Sequence, residues 1–144
     1  MKNILVAIDI GDKEEILIDK AIELAEKFHS KIWLVHASAP DPDFVSFEAG
    51  PQSVRDARAE TLRKENRIIG LLTDKIKSAG LQTTGLLIKG PTVEAILEES
   101  EKLHADILII GREKHGFIDK LIRGSVSGGV LQHSKIPVMI VPLD

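Results

Sequence analysis

The chain contains no cysteine and no tyrosine, a single tryptophan, Trp33, and only four phenylalanines among 144 residues. Without cysteine there are no disulfides, no thiolate nucleophile and no zinc–thiolate site, which fits a reducing interior. The scarcity of aromatics leaves few platforms on which the bases of a single-stranded nucleic acid could stack. Charge of one sign is missing too: 19 basic against 22 acidic residues leave a formal net charge of −3, too weak a field to draw the protein to nucleic acid or an anionic membrane. Long apolar runs are absent from the N-terminus, where Ile4 to Ile8 stops at Asp9, too short for a signal-peptide core and far too short to cross a bilayer. The expectation is a cytoplasmic protein with neither a nucleic-acid nor a membrane partner.

What is present reads as an ordinary globular domain. Hydrophobic residues make up 43% and charged residues 28%, and the length suits one domain over 1–144 with a continuous core. Five runs rich in β-branched residues read as strands: Ile4–Asp9, Lys31–Ser38, Leu81–Lys89, Asp106–Ile110 and Ile136–Pro142. Three of them are almost continuously apolar, as expected of strands covered on both faces in a parallel sheet.

Helical period fills the gaps. Leu17, Ala21, Leu24, Ala25 and Phe28 share a stripe, with Asp12 and Glu15 spaced as a capping pair. Gln52 to Ala79 carries Val54, Arg58, Leu62, Ile69, Leu72, Ile76 and Ala79 at helical spacing and stops at Gly80, a long and largely solvent-facing helix. A third helix opens at Gly90–Pro91–Thr92 and carries Val93, Ile96, Leu97, Ser100 and His104; a fourth starts near Ser125. Strands alternating with helices imply an α/β fold: a five-stranded, mainly parallel, doubly wound sheet with helices on both faces. The connection Ala39–Pro51 is long, with three prolines, Phe44 and Phe47. It reads either as a surface loop covering the sheet edge or as a lid or partner contact.

Ligands of such sheets collect beyond the carboxyl ends of the strands, where the winding reverses. There the chain reads GREKHGFIDKLIRGSVSGG, with Gly111, Gly116, Gly124, Gly128 and Gly129 and the hydroxyls of Ser125 and Ser127. Glycines let backbone N–H groups approach an anion, and the fourth helix offers unpaired donors at its start, with Ser125 as N-cap. Arg112, Lys114 and His115 add positive charge. Neither the dinucleotide GxGxxG after the first strand nor GxxxxGK[ST] occurs. Asp9, at the end of a buried strand, reads as a ligand contact or as a helix cap. His36 reads as a strand residue rather than a catalyst. A metal set of His36, Asp41, Asp43 and His115 lacks any ligand spacing, so no protein-held metal is assigned. Nor is there a GxSxG elbow or a close carboxylate pair, and no catalytic residue is assigned.

The glycine loop resembles the signature of the universal stress protein family, G-x2-G-x9-G-[S/T] after the fourth strand. The opening ILVAIDIGD, the phrase WLVHA, KGPTVEAILEES and the ending GSVSGGVLQHSKIPVMIVP extend the likeness over nearly the whole chain. The resemblance implies strand order 3-2-1-4-5 and a site for ATP or a related adenine nucleotide. Asp9 would meet the nucleoside, Ala37 the base, and Gly111, Arg112, Lys114, Gly116, Gly124, Ser125, Val126 and Ser127 the phosphates, with magnesium as their companion. One motif position departs: counting back from Gly124–Ser125, the second glycine is replaced by Lys114, which would either pair with a phosphate or fill its space. Three functions follow: a nucleotide-binding sensor or regulator of stress response, a dimeric interaction module with an altered pocket, and a weak ATP hydrolase or other phosphate-processing enzyme. The family further implies a homodimer through the apolar edge strand Ile136–Pro142.

Overall fold

A computed structural model of the protein describes residues 1–11, 13–38, 52–112 and 126–143, the first three residues of the last stretch by their backbone. Nine elements alternate: β1 (Asn3–Ala7), α1 (Glu14–Phe28), β2 (Lys31–Ser38), α2 (Gln52–Ser78), β3 (Thr83–Lys89), α3 (Thr92–Lys102), β4 (Ile107–Arg112), α4 (Val126–His133) and β5 (Val138–Pro142). The strands pair in parallel in the order β3-β2-β1-β4-β5, as expected. The Ala39–Pro51 connection lies outside the described residues, and with it Asp41, Asp43, Phe44 and Phe47.

Two apolar layers sandwich the sheet because successive strand residues point to opposite faces. Ile4, Val6, Ile32, Leu34, Ile107 and Ile109 pack against Leu17 and Ile18 of α1 and Ile69, Leu72 and Ile76 of α2. Leu5, Ala7, Val35, Leu108 and Ile110 pack on the other side against Ile96 of α3 and Val130 of α4. Glycine sets how closely two of these helices approach. A Cβ on Gly85 of β3 would stand 2.5 Å from Ile69 Cγ2 and 2.9 Å from Thr73 Cγ2, so its absence seats α2. A Cβ on Gly129 of α4 would stand 2.9 Å from Val93 Cγ2, which spends that glycine on α3–α4 packing.

The structure moves several local expectations. β1 ends at Ala7, so Asp9 stands two residues past the strand, while β3 begins at Thr83 and β5 at Val138. Asp12 lies outside the described residues, and the N-cap position of α1 is Lys13. The carboxylate that turns back is Glu14, accepting the Gly11 N–H at 3.1 Å, whereas Glu15 faces Lys75 of α2 at 3.4 Å. Phe28 is 50% exposed despite its place on the stripe, because α1 ends there at His29 in the left-handed conformation. His104 also lies in left-handed backbone beyond α3 and is exposed. The fully buried residues of α2, Ile69, Leu72, Thr73 and Ile76, fall in its C-terminal part, while Gln52 to Ala57 are exposed.

Candidate functional site at the carboxyl ends of β1 and β4

β1 hands the chain to one layer and β4 to the other, so a crevice opens past their carboxyl ends. Register places the expected residues on it. Ala7 pairs with Val35 on β2 and with Ile110 on β4. Two positions further along stand Ala37, still on β2, and Arg112, still on β4, while on the segment between them Asp9 lies two residues past the end of β1. Ala37 pairs outward with Ile88 and Arg112 with Pro142. Val35 and Ile110 face the α3–α4 layer, so the side chains of Ala37 and Arg112, two residues on, turn to the same side.

Three chemical features belong to the segments that leave these strands. Asp9 is exposed, and since Lys13 occupies the N-cap position of α1, the Asp9 carboxylate is not spent as that cap. Arg112 is half-buried, and its Nε is a buried donor with no hydrogen-bond acceptor among the described residues. A buried N–H without an acceptor costs about 1–3 kcal/mol, which an anionic ligand would offset. The third is the start of α4 at Val126, whose first-turn N–H groups, including that of Ser127, have no partner within the helix and suit an anion.

Gly111 precedes Arg112 on β4, and a Cβ there would stand 2.6 Å from Leu143 Cδ1 and 3.1 Å from its Cγ. The first motif glycine therefore has a packing duty on the α1–α2 side, where Leu143 joins the core. Lys114, Gly116, Gly124 and Ser125, together with His115, lie outside the described residues. Among the described residues no group of three or more His, Cys, Asp or Glu side chains could hold a metal ion.

Behind the crevice the structure reveals a polar line that the motif reading missed. His36 is 7% exposed, and its Nδ1 lies 3.0 Å from the Ile8 carbonyl oxygen. Because a carbonyl only accepts, Nδ1 carries the hydrogen. His36 Nε2 stands 3.5 Å from Glu65 Oε1 on α2. Ser38 Oγ donates to Glu65 Oε2 at 3.2 Å and accepts from Arg58 Nη2 at 2.8 Å. A signal was present: His36 and Ser38 share one face of a buried strand, and Arg58 and Glu65, seven apart, share one face of a helix.

The universal stress protein family model matches residues 1–142. The chain belongs to the universal stress protein family. It is 32% identical to Universal stress protein C of Escherichia coli K12 over 143 residues, covering 98% of this chain and 95% of that one. Its fold superposes on that of a universal stress protein crystallised in complex with cAMP, with a TM-score of 0.76, 22% identity, and 99% and 98% of the two chains covered. A universal stress protein family protein from Arabidopsis thaliana with AMP bound superposes with a TM-score of 0.71 at 21% identity over 100% of this chain and 93% of the other. As in those proteins, the universal stress protein fold here is a parallel sheet between two helical layers. Among its described residues no helix is long and apolar enough to cross a membrane.

Proposed function

We propose that this universal stress protein binds an adenine nucleotide in the crevice beyond β1 and β4 and works as a sensor or regulator in stress response rather than as an enzyme. The observation that carries the reading is the buried Arg112 Nε at the carboxyl end of β4, which lacks an acceptor among the described residues, beside the exposed Asp9 just past the neighbouring β1. Family members crystallised with cAMP and with AMP support the adenine nucleoside as the recognised part. ATP is the fuller ligand: Asp9 meets the nucleoside, Ala37 the base, and the Gly111–Ser127 segment the phosphates, with magnesium arriving on them. The edge position of β5 supports a homodimer formed through that strand.

Calorimetric titration with ATP and with AMP tests the reading. Saturable heat is expected for both, and a folded protein that gives none at millimolar nucleotide refutes it. Lys114 at a motif glycine favours a second reading, a dimeric interaction module whose pocket is closed. Lys114→Gly separates the two: binding gained only in the variant establishes the second.

A further inference from the structure

We propose that His36 is a positioning residue that fixes the direction in which Asp9 leaves β1 and so sets the nucleoside contact. The inference rests on the adenine-nucleotide reading of the crevice and adds a residue to it from the opposite face of the sheet.

The regular β1–β2 ladder ends at the Ala7–Val35 pair, and one more backbone bond, Ile8 N–H to the Val35 carbonyl at 2.9 Å, prolongs it. Beyond that point the Ile8 carbonyl is held by a side chain, His36 Nδ1, at 3.0 Å. The Ile8 carbonyl and the Asp9 amide belong to one planar peptide group, so fixing the oxygen fixes the plane from which Asp9 departs. Ile8 is buried at 5% exposure and Asp9 is exposed, so this peptide is where the chain passes from core to crevice.

The imidazole is itself held. Glu65 faces its Nε2 at 3.5 Å, Ser38 donates to the same carboxylate, and Arg58 donates to Ser38. All four side chains lie between β2 and α2, the side away from Ala37 and Arg112. His36 therefore acts through Asp9 and not on the ligand. The anchoring also ties the site to α2, which carries the core residues Ile69, Leu72 and Ile76 further along.

Two amide replacements separate this role from simple packing. Asparagine places an N–H donor where His36 Nδ1 stands, and the longer glutamine places one where Nε2 stands, toward Glu65. If Nδ1 positions Asp9, His36→Asn keeps nucleotide affinity within about 2-fold, while His36→Gln weakens it by roughly 3- to 10-fold, the range of one lost hydrogen bond. In free protein, the Ile8 carbonyl carbon resonance, deshielded by the hydrogen bond from His36 Nδ1, moves upfield in His36→Gln and stays close to its wild-type position in His36→Asn. On an Asp9→Ala background, His36→Gln causes no further loss of affinity, the mark of two residues acting as one.

The reverse order, with the glutamine variant near wild type and the asparagine variant impaired, overturns the proposal and leaves a packing role through Glu65. A His36→Gln loss that multiplies with that of Asp9→Ala overturns it as well. A wild-type protein that binds no adenine nucleotide overturns the functional reading, and the Ile8 carbonyl carbon resonance then decides separately whether His36 holds the peptide.

Discussion

Replacing Gly85 by alanine should unseat α2. The new Cβ would lie 2.5 Å from Ile69 Cγ2 and 2.9 Å from Thr73 Cγ2, whereas carbon atoms in ordinary contact stand about 3.5–4.0 Å apart. Neither neighbour can swing away. Both are β-branched and stiff at χ1 in a helix, both are buried, and Thr73 is pinned by its hydroxyl donating to the Gly70 carbonyl at 2.9 Å. The helix must retreat from β3 by roughly 1 Å, an overpacking strain of about 1–3 kcal/mol. The lower backbone entropy of unfolded alanine offsets about 0.4–1 kcal/mol. A net loss of about 1–2 kcal/mol lowers the melting temperature of a chain this size by roughly 3–7 °C. Thermal unfolding followed by circular dichroism measures it, and the same substitution on an Ile69→Ala background tests the cause. There the methyl enters the space left by Ile69 and the cost shrinks or reverses. Gly85→Ala at or above wild-type stability, or an equal cost on both backgrounds, refutes the reasoning.

Other expectations follow from single contacts. Asp106 accepts the Asn3 and Lys2 amides at 2.9 and 2.8 Å, and these backbone hydrogen bonds hold its carboxyl below the ordinary 3.8. Its contribution is therefore complete above that ordinary value and lost as pH falls through the lowered one. Because Asp106 is exposed, Asp106→Asn should cost only about 0.3–1 kcal/mol near neutral pH. The difference should close below roughly pH 4, where the unfolded carboxyl takes up its proton first. Urea unfolding across pH checks this, and a difference that persists undiminished to about pH 2 sinks it. Gly111→Ala should displace Leu143 and cost about 1 kcal/mol, the contribution of a half-buried leucine. A Leu143→Ala background should remove that cost. Unchanged stability with lost nucleotide binding would instead make Gly111 a glycine of ligand approach.

The alternation of apolar runs and helical stripes was readable because burial leaves a periodic trace in each element. Ile4–Ala7 on β1 and Leu17, Ala21 and Ala25 on α1 are buried as that trace required. The strand order was readable through the family likeness of Asp9, the WLVHA phrase and the glycine loop. Element ends were less legible, since Phe28 and His104 fit a helical stripe by spacing but stand where the chain turns out of its helix. The glycines misled in part. Gly111 and Gly129 belong to a phosphate-loop composition, yet each also faces a side chain that a Cβ would strike.

By itself, then, the sequence determined the fold class and the family, because these depend on local periodicity and on residues close together in the chain. Only the tertiary structure decided that β1 and β4 lie side by side with Asp9 and Arg112 at their carboxyl ends, and that His36 grips the Ile8 carbonyl with Glu65, Ser38 and Arg58 in line behind it. Those relations depend on strand register and on how closely α2 approaches the sheet, and both arise from packing between segments far apart in the chain.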